Sequence, residues 1–588
     1  MLFKTFSSYL SRLEKTASRN LKTEILANLF TQTKAEEIGN VCYLCLGRLA
    51  PKFESLEFNM AEKTILKSIA RAAKVDEGLV TKEYKQIGDL GNTAFKLIKN
   101  KTYKKQDVNA IYESLLKIAK EKGEGSVERK INKMADLLQN LDATSTRFVA
   151  RIPVNKLRLG FSDMTILDAL SWMETGDKSL RKELERAFNV LADIGKIAKA
   201  FKSKGISGIK SIKSEVGIPI RAAKAERLPN ASKILEKLDG QCALEEKYDG
   251  FRVQIHFDKA RKFSLKEENN LSLFAEKSKH FTRIFSRNLD NMTHMFPDVI
   301  EACQHLKCQS VILDGEAIAF NPKTKKFLPF QETVQRKRKH GILKKSQEIP
   351  LKILVFDVLY KDGKGLLSKP FYQRRRVLEK LLLQSKGEEK GLLLTKQKIV
   401  TKPEEFDQFF NTTVKDGLEG LMAKKLDSVY QAGARNYNWV KYKAAMQSEL
   451  ADTIDCIVMG YYQGKGKRTG FGIGAFLVGI YDKNKILTIS KIGTGLTDKQ
   501  WQEMFARCQQ VKTANMPKEY QVAKSLKPDV WCQPKLVVEI EADTITKSPI
   551  HTAKLALRFP RLKKFRDDKD IDQATTLSEM KKLVTLKV

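Results

Sequence analysis

Disulfide frameworks, structural zinc and membrane spans all lack their signatures in this chain. Its eight cysteines (Cys42, Cys45, Cys242, Cys303, Cys308, Cys456, Cys508 and Cys532) are scattered over 588 residues. That spacing excludes a disulfide-stapled fold and points to a reducing compartment. Cys42-Tyr-Leu-Cys45 has a CxxC spacing, but no second CxxC or HxxxH follows, so the pair is expected to pack in an apolar helix rather than bind zinc. No run approaches the roughly 20 apolar residues of a membrane span. Met1–Leu10 is short, mixed and followed at once by charged amphipathic sequence, unlike an export leader. A cytoplasmic, nucleoid-associated protein with no membrane partner is the expectation. Internal repeats and long low-complexity tracts are missing too.

Acidic residues are in short supply: 70 Asp plus Glu face 107 Lys plus Arg, a formal net charge of +37. Such an excess exceeds what solubility needs and favours a polyanionic partner, of which nucleic acid fits best. It is spread along the chain, since residues 1–222 hold 40 basic against 26 acidic side chains and the remainder carries the larger share. Hydrophobic residues at 42% suffice for several cores, and the length suggests about three to four domains.

The hydrophobic pattern changes character along the chain. Residues 1–222 show 3.6-residue periodicity in Ala61–Ala73, Val108–Ala119, Ile131–Leu141 and Leu180–Phe201, with Ser162-Asp163 placed to cap Met164–Met173, which predicts a helical domain. Within it the turn Arg147–Gly160, with Arg151, Lys156 and Arg158, is a candidate phosphate contact. From about Gly217-Ile-Pro-Ile onward, short strands recur at Val311–Phe320, Leu351–Tyr360, Gly417–Lys424 and Tyr437–Tyr442, predicting an α/β middle. After Lys443, strands at Thr453–Tyr462, Gly474–Tyr481, Lys485–Ile492 and Leu536–Ala542 joined by Gly-rich turns predict a small barrel.

Chemistry concentrates at Glu245-Glu246-Lys247-Tyr248-Asp249-Gly250-Phe251-Arg252. A lysine beside carboxylates and a glycine turn can serve as a covalent nucleophile toward phosphorus. Phe251, Val253, Ile255 and Phe257 alternate with polar residues, so Lys247 is expected at the lip of a half-buried sheet. Further motifs follow in order. Phe285-Ser286-Arg287-Asn288 offers a guanidinium for phosphate, Leu313-Asp314-Gly315-Glu316 ends a buried strand with a carboxylate, and Val355-Phe356-Asp357 supplies a ring able to stack on a base. Leu418-Glu419-Gly420-Leu421-Met422-Ala423-Lys424 and Asn438-Trp439-Val440-Lys441-Tyr442-Lys443 complete the set. Each alone has a bland explanation as core or solvated surface; their joint occurrence in this order does not.

With these motifs the chain resembles the ATP-dependent DNA ligases, specifically the archaeal replicative type close to eukaryotic DNA ligase I. The resemblance runs from Phe3-Lys-Thr-Phe6 and Ser18-Arg19-Asn20 through Arg336-Lys-Arg-Lys339 and Gly464-Lys-Gly-Lys-Arg468 to Leu557-Arg-Phe-Pro-Arg561 and Arg566-Asp-Asp-Lys569. It implies a multidomain fold: an all-α DNA-binding domain at 1–222, an α/β (α+β) nucleotidyltransferase (adenylation) domain with ATP-grasp-like antiparallel sheets at 223–446, and a C-terminal all-β OB-fold barrel at 447–588. By the same resemblance Lys247 would take AMP from ATP, pass it to the 5′-phosphate of a nick, and let the 3′-hydroxyl seal the backbone. Glu245 would recognise the adenine and Phe356 stack on it, while Arg252, Arg287, Arg435, Lys441 and Lys443 would contact phosphate or ribose. Glu316 would lie by the ribose, and Glu316 and Glu419 would hold Mg²⁺. Arg558, Arg561, Arg566 and Lys569 would act in closure over ATP and in contacts to pyrophosphate and DNA.

Two positions depart from the family pattern: Phe251, where a polar residue is frequent, and Glu246, where an aromatic is usual. They leave ADP, GTP or NAD open beside ATP, although the zinc cysteines of NAD-dependent bacterial ligases are missing. The implied partner is nicked duplex DNA, bound by a monomer. A sliding clamp is a further candidate, with Gln106–Tyr112 as a weak match to its peptide pattern. The alternatives are an RNA ligase of the same superfamily and a non-catalytic protein that binds DNA nicks or ends. The long helical N-terminus disfavours the first, and the intact set Lys247, Glu316, Glu419 and Lys441 disfavours the second.

Overall fold

The computed structural model describes residues 1–98, 103–157, 159–262, 280–338, 341–443, 453–464, 466–542 and 544–585. Arg158, Lys339, Lys465 and the expected boundary at 446/447 lie outside the described residues. The chain forms two compact units, Met1–Thr412 with Leu421–Lys441, and Thr413–Gly420 with Tyr442–Val588.

The first unit begins as a helical assembly. Phe3, Phe6, Leu10 and Leu13 recur at helical spacing on Phe3–Lys15 and enter one large apolar core with Leu26, Phe30, Val41, Cys42 and Cys45. The CxxC pair is thus core, as expected. Leu180–Phe201 is two helices, Arg181–Val190 and the start of Ile194–Lys210, because the Asp193 carboxylate accepts from Gly195 N–H and Lys196 N–H and starts a new helix, which is itself broken at Gly205. Ser162 precedes the helix Asp163–Thr175 but makes no side-chain cap. The expected phosphate turn also differs. Arg151 is 2% exposed and bound to Asp89 and Glu14, Arg147 pairs with Glu14, and Lys156 pairs with Glu62. An arginine so enclosed pins the helices together. Val108, Ile111 and Tyr112 likewise lie in the helical core, so that segment presents no apolar anchors for a clamp.

The rest of the first unit is built on two sheets. Strands β1 (Lys224–Arg227), β2 (Cys242–Lys247), β3 (Phe251–Asp258), β4 (Phe281–Ser286), β5 (Ser310–Asn321), β6 (Leu351–Lys361), β7 (Gln397–Val400), β8 (Gly420–Lys424) and β9 (Arg435–Lys443) supply the long members. A five-stranded sheet has the order β1–β9–β8–β2–β7, and a seven-stranded sheet carries β4–β3–β5–β6 as antiparallel neighbours. Val253, Ile255 and Phe257 face one core with Leu313, Val355 and Leu378. The opposite face of β3 is closed as well, so the sheet is not half-buried. Gly217 N–H donates to His256 Nδ1 at 2.9 Å and Ile220 N–H to Gln254 Oε1 at 2.8 Å. The apolar segment at Ile220 covers the polar residues of β3 and satisfies them.

The second unit is a β domain with a curled sheet. Its strand β10 (Ile454–Tyr462) pairs with β11 (Ala475–Asp482), with Val530–Cys532 and with β13 (Val537–Glu541). Beyond β11 lies β12 (Lys485–Ile492), and β13 pairs onward with β15 (Arg561–Phe565), while β14 (Leu555–Arg558) belongs to a separate hairpin. The unit also contains a 13-residue helix, Asp498–Gln510, started by a Thr497/Gln500 capping box, which the strand pattern does not anticipate. No helix among the described residues is long and apolar enough to cross a membrane.

Candidate active site

Lys247 is the last residue of β2 in one sheet, and Tyr248-Asp249-Gly250 carries the chain directly into β3 of the other. The lysine therefore stands where the two sheets cross, rather than on the lip of β3. Glycine is required at this crossing: a Cβ on Gly250 would lie 2.4 Å from Ala317 O and 2.7 Å from Ile318 Cγ1 on β5. Lys247 is half-buried, with Nζ 3.5 Å from the Tyr248 carbonyl. Tyr248 donates its hydroxyl to Glu246 and sets its ring edge against Phe327 at 5.7 Å. Burial first, and then the Glu246 carboxylate, push its phenol well above the ordinary value.

Period-2 alternation puts Glu245 on the same face of β2 as Lys247. Glu245 is 2% exposed. Its Oε1 accepts from Arg375 Nη1 and Gln397 Nε2, both at 3.2 Å, and its Oε2 pairs with Lys424 Nζ at 2.6 Å. Lys424 comes from β8, Arg375 from the helix Phe371–Gln384 and Gln397 from β7. Lys424 is itself enclosed: its ammonium lies 4.6 Å from the ring centres of Phe371 and Trp439 and 4.9 Å from that of Phe356, and it donates to Phe356 O at 3.2 Å. Burial pulls the Lys424 ammonium below the ordinary lysine value, and Glu245 opposes that shift. Phe356 also meets Trp439 edge-on at 5.9 Å.

Arg252 and Glu316 face each other in the β3–β5 register. Arg252 grips Asp314 with two N–H groups at 3.0 and 2.6 Å, Ala223 O with a third at 2.6 Å, and the Tyr430 hydroxyl with a fourth at 3.2 Å. Four of the five guanidinium N–H donors are thus engaged by the protein. Burial lowers the Arg252 value, but Asp314 overrides it and the net direction is upward. Behind Phe356, Asp357 receives Arg374 bidentately at 2.8 and 2.9 Å, both side chains fully buried.

The remaining sequence-predicted cations of the first unit lie elsewhere. Arg287 is exposed on the turn after β4 and lines a groove of about 750 Å³ together with Arg48, Lys52, Arg221 and Lys224, against Asp163. Arg435 is exposed at the start of β9, 4.0 Å from Glu226, and Lys441 lies opposite Arg227 in the β1–β9 register. In the second unit Glu419 and Lys443 form an ion pair. Arg566 binds Asp455 at 2.9 Å and Asp568 at 2.7 Å, and Lys569 binds Asp455 at 2.6 Å. Arg561 is exposed on β15, and Arg558 lies over the Phe559 ring at 5.5 Å.

Three family models match successive stretches of the chain. Residues 2–171 match the model for the DNA ligase N terminus, 273–443 that for the ATP dependent DNA ligase domain, and 469–569 that for the ATP dependent DNA ligase C terminal region. A probable DNA ligase of Dictyoglomus turgidum is 44% identical over 99% of this chain and 97% of its own length. The chain belongs to the ATP-dependent DNA ligases. DNA ligase 2 of Thermofilum pendens is 38% identical over 98% of the chain and 96% of its own length, and the DNA ligase of Sulfolobus acidocaldarius 36% over 99% and 97%. The solved structure named Pmar-Lig_PreS3 covers 95% of the chain and 99% of its own at a TM-score of 0.53 and 18% identity, a likeness of fold.

In this ligase several enclosing residues escaped the sequence reading. The pattern Leu418–Lys424 does not by itself show that Lys424 is enclosed, nor do the residues around Arg374 and Arg375 show what those arginines bind. A signal existed for the arginines: Phe371, Arg374, Arg375, Leu378 and Leu382 share the buried face of one helix, and charge on an apolar stripe implies a buried partner.

Proposed function

We propose that this ligase seals 5′-phosphate/3′-hydroxyl nicks in duplex DNA through a lysine–AMP intermediate on Lys247, in replication, repair and recombination. The observation that carries this reading is the placement of Lys247 at the sheet crossing, one pleat from a buried Glu245 tied to Phe356 through Lys424. Lys247 Nζ attacks the α-phosphorus of ATP, the P–N bond forms and pyrophosphate leaves. The AMP then moves to the 5′-phosphate of the nick, which restores the lysine and makes AMP the leaving group. Attack by the 3′-hydroxyl forms the phosphodiester and releases AMP.

Glu245 reads the adenine and Phe356 stacks on it. Arg252, Arg287, Arg435, Lys441 and Lys443 serve phosphate and ribose, with Arg252 limited to its fifth N–H. Arg558, Arg561, Arg566 and Lys569 serve the departing pyrophosphate and later the DNA. Mg²⁺ belongs to this reading. Among the described residues no three His, Cys, Asp or Glu side chains cluster to cage a metal, and an ion held by one or two carboxylates and phosphate oxygens needs no such cage. Glu316, Glu419 or both would supply those oxygens, and the ion would neutralise charge on the phosphoryl group. We assign 1–222 as the DNA-binding domain, 223–446 as the adenylation domain and 447–588 as the oligonucleotide-binding barrel. The protein acts as a cytoplasmic monomer on nicked DNA, with or without a sliding clamp.

The test is sealing of a 5′-labelled nicked duplex, with ATP, ADP, GTP or NAD supplied in turn and a nicked RNA duplex as the parallel substrate. Sealing of DNA with ATP is expected; sealing confined to RNA supports the RNA-ligase reading, and binding without sealing supports a non-catalytic nick-binding protein.

A further inference from the structure

Tyr248 forms a hydrogen bond across the nucleophile. Its hydroxyl, on the residue after Lys247, donates to the carboxylate of Glu246, on the residue before. The ring of atoms closed by that bond contains both backbone torsions of Lys247, so the direction in which the lysine leaves β2 is tied to a side-chain contact as well as to the strand. Each partner is anchored in turn. Glu246 lies on β2 of the five-stranded sheet, where its N–H donates to Lys396 O at 3.4 Å and its Oε1 is 3.4 Å from Lys396 Nζ. The Tyr248 ring meets Phe327 edge-on at 5.7 Å, on the short strand Lys326–Phe327 that pairs with β5 of the seven-stranded sheet. The pair thus spans the crossing at which Lys247 stands.

Both side chains are enclosed, Glu246 at 6% and Tyr248 at 7% exposure. A buried carboxylate and a buried phenol hold each other more firmly than the same groups do in water, and neither can turn away without leaving its partner unsatisfied. Alternation along β2 puts Glu246 on the face opposite Glu245 and Lys247, away from the side of the strand that carries the nucleophile. Tyr248 reaches that nucleophile through its backbone, since Lys247 Nζ lies 3.5 Å from its carbonyl. Moving the phenol therefore moves an acceptor of the lysine itself. Attack on phosphorus needs the amine held within about 0.5 Å of its productive position, and a displacement of about 1 Å costs about 10²-fold in rate.

We propose that Glu246 is a positioning residue for the nucleophile: through the Tyr248 hydroxyl it fixes the torsions and the carbonyl that aim Lys247 at phosphorus, and so sets the rate of AMP transfer to the protein without touching the nucleotide. The inference rests on the reading that Lys247 takes AMP from ATP.

The experiment follows two steps on the full-length protein. One is single-turnover transfer of label from α-labelled ATP to the protein over a range of ATP concentrations. The other is sealing of a nicked duplex that already carries AMP on its 5′-phosphate, a step in which Lys247 is not the nucleophile. Y248F and E246A are each expected to slow the first step about tenfold at an unchanged half-saturating ATP concentration, with sealing of the pre-adenylylated nick within about twofold of wild type. E246Q keeps an oxygen for the phenol and is expected to restore the first step to within about threefold of wild type. E246A/Y248F is expected to be no slower than either single variant, because both remove the same bond. Should E246A fold poorly by near-UV circular dichroism, E246L/Y248F removes both polar groups together and is expected to fold and to be as slow as Y248F. Wild-type transfer by folded Y248F overturns the proposal, and so does equal loss in both steps, which is the result of a merely structural role. K247A tells the two levels apart. Label on K247A means that the reading of the nucleophile itself fails; no label on K247A beside wild-type transfer by Y248F means that only the role of Glu246 fails.

Discussion

Gly250 and Ala317 pass so closely that a Cβ on the glycine would stand 2.4 Å from the alanine carbonyl oxygen. The glycine that follows Tyr248-Asp249 is therefore dictated by β5, which runs against the turn leaving the nucleophile. Substitution there pushes the turn away and moves Lys247. Gly250→Ala is expected to reduce self-adenylylation by at least about 10²-fold, the scale of a 1 Å misplacement, and to destabilise the fold by about 1–3 kcal/mol. Single-turnover transfer of labelled AMP, with thermal unfolding alongside, measures both; wild-type transfer would remove the steric argument.

Arg374 and Asp357 bind each other bidentately with both side chains fully buried. Removing only the arginine leaves a buried carboxylate without its partner. Arg374→Met is expected to cost about 3–5 kcal/mol, and Arg374→Met combined with Asp357→Leu distinctly less, because both charges then go together. Urea unfolding of the two variants decides it, and equal destabilisation would contradict the pairing.

His256 accepts from Gly217 N–H and shares a 2.9 Å hydrogen bond with Gln254 Oε1. Burial first, and then the Arg283 and Arg261 cations, pull its imidazole from the ordinary value of about 6.5 down to about 3. The folded protein therefore keeps this histidine neutral while the unfolded chain protonates it. Its contribution is complete above pH 6.5 and is lost as the pH falls toward 3, at up to about 1.4 kcal/mol per pH unit. Between pH 6.5 and 4, wild type is expected to lose stability more steeply than His256→Asn; parallel slopes would refute the assignment.

The formal charge of +37 and the basic groove around Arg48, Arg221, Lys224 and Arg287 imply that phosphate contacts dominate DNA affinity. For about 6–10 such contacts, affinity for nicked duplex is expected to fall at least about 10³-fold between 50 and 200 mM salt. Fluorescence anisotropy across that range gives the slope directly, and a flat profile would count against the phosphate account.

Much of this architecture was legible beforehand, for identifiable reasons. Strands such as Lys485–Ile492 are marked by a short run rich in β-branched residues between turn signals, and Lys247 by its neighbours. What stayed hidden depends on partners distant in sequence. Asp193 splits an apolar pattern whose periodicity continues across the break. Arg151 in a polar turn looks solvated until Glu14 and Asp89, 137 and 62 residues away, enclose it. The crossing of two sheets at Lys247 likewise depends on β2 and β3, contiguous in sequence, pairing with different neighbours. Lys424 could not be told from a surface lysine until three rings and Glu245 closed around it.

Whether Lys247 carries AMP is decided by incubating the purified protein with Mg²⁺ and ATP labelled at the α-phosphate and then denaturing it. Label is expected to survive denaturation in wild type, to be missing with γ-labelled ATP and in Lys247→Ala, and to be discharged when nicked duplex DNA is added to the native protein. Stable label on Lys247→Ala, or none on wild type, would contradict it.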